Sequence, residues 1–166
     1  MKNGLQWLKT VGCIDTKAEN MIRRLVRGNR KFLVLGNTGS GKDTLADALY
    51  ACLMDSGKNA ARLPCLEGKT FTAVRATREW KTISAMLNHD VPSVTSVGYA
   101  NSSGFNYYIP ELPALGRYFD VVFDIRKMSG GKRVLCQILL TRGSRTRCVY
   151  RNPAIASHSD ISSIAA

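Results

Sequence analysis

Residues 32–57 constrain this chain more than any other stretch. Phe32-Leu33-Val34-Leu35 is a short continuous apolar run, the signature of a strand buried on both faces in a parallel sheet. Gly36 ends it, and from Asp43 the period changes. Leu45, Ala48, Leu49, Cys52 and Leu53 fall at i, i+3, i+4, i+7 and i+8, one face of a helix that Ser56-Gly57 closes. Between the two lies Gly36-Asn37-Thr38-Gly39-Ser40-Gly41-Lys42, a G-x-x-x-x-G-K pattern. Glycines let the backbone wrap so that successive N–H groups point at an anion. The following helix adds its N-terminal dipole, and a lysine at this place reaches the β- and γ-phosphates of a nucleotide. The expected nucleotide contacts are therefore Gly36, Asn37, Thr38, Gly39, Ser40, Gly41, Lys42, Asp43 and Thr44.

One position departs from the pattern. Ser or Thr ordinarily follows the lysine and places its hydroxyl on Mg²⁺, whereas here Asp43 follows and Thr44 comes one later. Asp43 and Thr44 are the candidate metal ligands. A carboxylate at position 43 holds the cation directly or through water, but it also repels the phosphates. The other reading of Asp43 is a plain cap of the helix N-terminus.

The remainder of the chain is less explicit. Thr16-Lys17-Ala18-Glu19 has the form of a capping box before the apolar repeat Met21, Ile22, Leu25 and Val26, with Gly28 as the expected C-terminal cap. Arg23, Arg24, Arg27, Arg30 and Lys31 make that helix and its exit basic, which reads as a solvated face. Leu63–Leu66 and Phe71–Val74 are read as short strands, with Pro64 marking an edge or a break. Trp80, Ile83, Met86 and Leu87 predict a helix from about Thr77, Ser93–Val97 a strand, and Asn101–Pro113 a loop. Residues 119–125 and 133–140 flank Ser129-Gly130-Gly131-Lys132 as an antiparallel hairpin, with Cys148-Val149-Tyr150 as a third strand. The Ser- and Ala-rich end from Asn152 is expected to be disordered.

The 166 residues suffice for one compact domain, and no run of eighteen apolar residues suggests a spanning helix. The N-terminus has no apolar core followed by a small-residue cleavage site, so no secretory signal is expected. A net charge of +12 favours anionic partners without naming one, and no nucleic-acid-binding motif is found. Five cysteines without a C-x-x-C pair, and only two histidines, argue against a disulfide framework or a zinc site. They read instead as buried thiols of a reducing compartment.

Leu35–Leu49, LGNTGSGKDTLADAL, resembles the phosphate loop of the secretion and conjugative-transfer traffic ATPases. Ala73-Val74-Arg75-Ala76 with Glu79–Met86 and His89-Asp90 is similar to a second block of that family. Thr95–Ser102 is similar to its HAN segment, and FDVVFDIRKMSGGKRVLCQIL to its closing hairpin. The blocks occur in the family's order over residues 18–150. The resemblance implies an α/β fold, a RecA-like P-loop NTPase domain with a C-terminal antiparallel β-hairpin, spanning 16–150 between an N-terminal segment (1–15) and the tail (151–166). It implies ATP and Mg²⁺ as cofactors, Lys42, Glu67 and Arg75 as catalytic residues, and a homo-oligomeric ring or association with secretion or conjugation machinery. It also implies a cytoplasmic protein, with peripheral contact to the anionic inner membrane as one use of its charge.

The departures bear on turnover. Ala73 stands where the family has an acidic residue, Tyr99 where it has histidine, and the stretch between Thr44 and Thr72 is too short for the family's arginine-bearing strands. Impaired hydrolysis is the expectation. The alternative is a small nucleotide kinase, reading Lys42-Asp43-Thr44 as its loop and Arg142, Arg145, Arg147 and Arg151 as a phosphate lid.

Overall fold

The computed structural model describes residues 4–68, 70–99 and 111–155. Seven strands form one mostly parallel sheet with helices on both faces. In chain order the elements are α1 (Gly4–Thr10), α2 (Thr16–Leu25), β1 (Lys31–Asn37), α3 (Lys42–Asp55), β2 (Ala61–Arg62), β3 (Leu66–Glu67), α4 (Phe71–Arg75) and α5 (Arg78–Leu87). They continue with β4 (Ser93–Tyr99), α6 (Leu112–Leu115), β5 (Val121–Lys127), β6 (Arg133–Arg142) and β7 (Arg145–Arg151). The strand order is β2-β4-β1-β5-β6-β7, with β3 also on β4. β1 lies between two parallel neighbours, Leu35 facing Val97 on one side and Asp124 on the other. The β5–β6 and β6–β7 pairs are antiparallel.

Alternation along β1 explains the layering. Phe32 and Val34 join Val121, Phe123 and Ile125 against α1, α2 and α3. Leu33 and Leu35 join Val97 and Val122 against α4, α5 and α6. Since both faces are covered, β1 has to read as a continuous apolar run. Helix α1 belongs to the first layer. Leu5 and Leu8 are buried in it, and a Cβ on Gly4 would lie 2.8 Å from the Ala48 Cβ, so α1 rests directly on α3.

Several expectations need correction. The residue that caps α2 is Asp15, whose carboxylate accepts from the Ala18 N–H at 2.7 Å, so Thr16 is already inside the helix. Glu19 does not complete a capping box, because it is drawn to Lys9 and Arg23. The helix ends at Leu25 with Val26 as its cap, two residues before Gly28. Phe71–Val74 is helical. Thr70 caps it, and the Glu111 carboxylate accepts from the N–H groups of Phe71 and Thr72, a cap supplied from a distant part of the chain. Leu63–Leu66 is mostly a connection, with Pro64 between the two-residue strands β2 and β3. Of the loop expected at 101–113, residues 101–110 lie outside the described residues and Leu112–Leu115 is a short helix. The expected disordered tail begins with order: Asn152 N–H donates to the Cys136 carbonyl and Ile155 is buried. Its remainder, 156–166, lies outside the described residues. The basic exit of α2 is partly committed, Arg23 to Glu19 and Arg30 to the Leu25 carbonyl.

No helix among the described residues is long and apolar enough to cross a membrane.

Candidate functional site

The glycine loop leaves the carboxyl end of β1, with β4 on one flank and the β5–β6 pair on the other. Gly39 and Gly41 have φ of 76° and 85°, the left-handed region that glycine enters without penalty. Gly36 is there for space. A Cβ at that position would strike Ser40 Oγ and lie 3.0 Å from the Ile125 carbonyl. Gly41 is the N-cap of α3 and offers no side chain to it. Among the described residues, the first N–H groups of the helix, on Lys42, Asp43 and Thr44, have neither an intrahelical acceptor nor a capping one, and the helix dipole concentrates positive potential there. Inside the loop Ser40 Oγ is fully buried and has no hydrogen-bond partner among the described residues.

On the β4 flank the charges are paired. Lys42 Nζ lies 3.7 Å from Asp43 Oδ2 and 3.7 Å from Glu67 Oε1. Asp43 Oδ1 accepts from Ser96 Oγ at 2.6 Å and stands 3.6 Å from Arg62, which also pairs with Asp47 at 3.0 Å. Burial raises the Asp43 carboxyl, but the Ser96 hydrogen bond and the charges of Lys42 and Arg62 outweigh it, so Asp43 sits below the usual carboxylate range. Glu67 folds over Gly98, where any Cβ would strike its carboxylate. Cys65 is exposed, contrary to the expectation of buried thiols, and its Sγ lies 3.5 Å from Glu67 Oε1. Burial pushes that thiol up more than Ser96 and Lys42 lower it, so it stays protonated at neutral pH and is a poor nucleophile. The other four cysteines are buried or half-buried, and all five are free.

The β5–β6 flank carries three cations without a carboxylate partner among the described residues, two of them against the loop. The Lys127 side chain passes over Gly39, its Cδ 3.5 Å from where a Cβ would be, and Arg133 passes over Gly41 at 3.3 Å. Lys132 reaches back over Gly12. The Lys127 N–H also donates to Asn37 Oδ1 at 3.3 Å, tying the tip of the β5–β6 pair to the loop. A bulge between Asp124 and Ile125 shifts the pairing so that Lys127 faces Arg133, and bulges of this kind bend a strand and re-aim its side chains. Here also opens a cavity of about 290 Å³, lined by Ser40, Gly41, Thr44, Ile125, Arg133 and, from α1, Trp7.

A cradle of free N–H groups, an orphaned buried hydroxyl and surrounding cations fits a polyphosphate. The donor set does not fit a metal equally well. Asp43 is held by Ser96 and two cations, while Thr44 turns to the cavity on the other flank, so the two expected ligands diverge. No three His, Cys, Asp or Glu side chains among the described residues come together as a metal site.

Of the residues expected to be catalytic, Lys42 and Glu67 meet. Arg75 does not join them: its guanidinium lies 5.3 Å from the centre of the Phe71 ring. Arg142 and Arg145 face each other at the far end of the β6–β7 pair, nine strand residues beyond Arg133, or about 30 Å at ~3.3 Å per residue. Arg147 is only slightly nearer, opposite Leu140, and Arg151 is at mid-strand opposite Gln137. The first three cannot fold over the loop as a lid.

Lys127, Arg133 and Trp7 were not singled out by the sequence pattern. The basic residues on either side of Gly130-Gly131 were the available signal for the first two. Asp124 was also passed over, although it ends an apolar strand run beside β1, where phosphate-loop folds place a metal-binding aspartate. It is fully buried on the face opposite α3, held by Arg126 at 2.7 Å and by Gln137 at 2.9 Å.

No family model matches the chain, and no curated protein matches it significantly. Among solved structures it is similar to the VirB11 ATPase of the Brucella suis type IV secretion system, crystallised in complex with sulphate. The TM-score is 0.49 at 16% identity, over 82% of this chain and 54% of that one, so the chain spans about half the length of that protein.

Proposed function

We propose that this chain binds ATP through the glycine loop and hydrolyses it slowly or not at all, as a shortened module of the traffic-ATPase kind. The observation that carries the reading is the loop itself: Gly36, Gly39 and Gly41 at positions where a side chain is excluded or strained, uncapped N–H groups at the start of a 14-residue helix, and Lys42 at its first turn. The ordered sequence blocks support the family. The same blocks support action in a ring, or in association with conjugation or secretion machinery, from the cytoplasmic side.

Slow turnover is supported by chemistry on the β4 flank. Lys42 is neutralised by two carboxylates, Asp43 replaces the hydroxyl that would meet Mg²⁺, and Ala73 is exposed on α4 where an acidic residue was expected. Glu67, more exposed than Asp43, is the carboxylate near Lys42 assigned to orient a water in this reading. Arg75, committed to Phe71, has no such role in this reading. The kinase alternative keeps its Lys42-Asp43-Thr44 loop, but the positions of Arg142, Arg145 and Arg147 give it no support as a lid.

A calorimetric titration with ATP, together with a steady-state phosphate-release assay on the isolated protein, tests the proposal. Binding with turnover well below ~1 s⁻¹, about the low end of ordinary enzymes, is expected. Absence of binding overturns the nucleotide reading. Turnover at or above ~1 s⁻¹ overturns the impaired site.

A further inference from the structure

The glycine loop is asymmetric, and the asymmetry assigns the two ends of a nucleotide. Lys42 Nζ, which meets the terminal phosphates in loops of this kind, lies toward β4 beside Glu67. Gly41 and Thr44 line the cavity on the opposite flank, toward β5 and β6. A polyphosphate whose γ end is at Lys42 therefore runs toward the cavity with its α end, and whatever is attached to the α-phosphate enters there.

The walls suit a nucleoside. The space, about 290 Å³, is at the small end of ligand pockets and of the size of one heterocycle with its sugar. Ile125 and Leu8 give it an apolar floor, and Arg133 and Lys132 stand at its rim. Trp7 lines it while remaining 50% exposed, unusual for the largest apolar side chain of a domain. The helix that carries it is seated by close packing: Gly4 touches Ala48, one turn along α3 from Thr44, and Leu8 is buried. An indole held at the edge of a pocket is a stacking platform for a base, at little further entropic cost. Ser40 Oγ, buried and without a hydrogen-bond partner among the described residues, lies where loop and cavity meet.

We propose that this cavity is the seat of the nucleobase and ribose, with Trp7 stacking on the base and Arg133 contacting the α-phosphate. The proposal rests on the nucleotide reading above. It adds that the N-terminal helix and the β5–β6 tip supply discrimination between a nucleotide and a bare polyphosphate.

The test titrates ATP and inorganic tripolyphosphate into the wild-type protein, Trp7→Ala and Trp7→Phe by calorimetry. ATP should bind wild type more tightly than tripolyphosphate. Trp7→Ala should weaken ATP about tenfold, within the range for loss of one base–aromatic stack, and leave tripolyphosphate unchanged. Trp7→Phe should restore most of the loss. Equal affinity of wild type for the two ligands, or unchanged ATP binding by Trp7→Ala, overturns the seat while the phosphate cradle stands. If wild type binds neither ligand, the nucleotide reading falls and the seat with it.

Discussion

The two flanks of the glycine loop are built from opposite chemistry. Toward β4, each charge has a counter-charge: Lys42 with Asp43 and Glu67, Arg62 with Asp43 and Asp47. Toward β5 and β6, Lys127, Lys132 and Arg133 have no carboxylate partner among the described residues, and the last two border the cavity. An anion arriving on the second flank gains charge-assisted contacts at once. On the first it must draw Lys42 from two partly exposed carboxylates, each such pair worth up to about 1 kcal/mol. On the reading proposed above, affinity comes mainly from the uncommitted flank and the backbone, and slow turnover goes with a terminal phosphate that the paired flank grips less firmly.

The severest way to break the contrast is to destroy the loop that separates the flanks. Gly36→Val would drive methyl groups into Ser40 and the Ile125 backbone, an overpacking cost of about 1–3 kcal/mol. ATP and tripolyphosphate binding should both vanish in calorimetry, and Tm should fall by several degrees. Next is Lys42→Ala. It removes charge-assisted contacts worth about 1.5–3 kcal/mol and leaves Asp43 and Glu67 facing the phosphates unneutralised. Affinity for both ligands should drop at least tenfold with the circular-dichroism spectrum unchanged. Retention of wild-type affinity would mean that the lysine is only an ion-pair partner.

How much of this could be read beforehand depended on the range of the forces involved. β1 and α3 were legible because an apolar run and a 3.6-residue period are local patterns. So was the start of α5, where Thr77 caps the Trp80 N–H within four residues. Helix α4 was not: Phe71–Val74 is β-prone taken alone, and the Glu111 carboxylate that anchors its first turn comes from beyond β4. Asp15 was passed over because the capping-box spacing fits Thr16 and Glu19 equally well. The i,i+4 pair with Arg23 and the tertiary contact with Lys9 draw Glu19 away. The same division runs through the site. Lys42 and its glycines form a contiguous motif. Trp7 and Arg133 reach the loop through the Gly4–Ala48 approach and the register shift of the β5–β6 pair; the basic residues around Gly130-Gly131 hint at Arg133, but nothing in nearby sequence marks Trp7.

Removing charge from the paired flank sharpens the contrast in the other direction. Glu67→Gln frees Lys42 from one partner, and Asp43→Thr frees it from the other while restoring a hydroxyl beside the lysine. An exposed pair is worth up to about 1 kcal/mol, so each variant should bind tripolyphosphate roughly two- to fivefold more tightly. Asp43→Thr should gain more for Mg²⁺-ATP than for metal-free ATP, because Ser96 and Arg62 no longer compete for the residue at position 43. Equal gains with and without Mg²⁺ would show that Asp43 acts through charge alone.

The smallest expected effect concerns what holds the open flank in place. Helix α1 carries Trp7, and Glu19 ties it to α2 through Lys9 at 3.1 Å while accepting from Arg23 at 2.9 Å. The Arg23 and Lys9 hydrogen bonds and their charges hold the Glu19 carboxyl below its ordinary value against a smaller opposing effect of burial. The sign follows from linkage. A carboxyl depressed in the folded state contributes its full stabilisation above the unfolded pKa, about 4.3, and loses it as pH falls from there through the folded value. Acidification from about pH 5 to pH 3 should therefore loosen α1, and Glu19→Gln should imitate the loss at neutral pH. Both cations are partly exposed, so the tie is worth about 1 kcal/mol at most, or roughly 2–4 °C in Tm for a chain of this size. Thermal melts at pH 7 and pH 4 decide it: Glu19→Gln should melt lower than wild type at pH 7 and nearer to it at pH 4. At pH 7 the variant should also bind ATP slightly less well with tripolyphosphate unaffected, since only the cavity depends on α1. A pH-independent gap between the melting curves would remove Glu19 ionisation from the account and leave α1 held by Leu5, Leu8 and Gly4 alone.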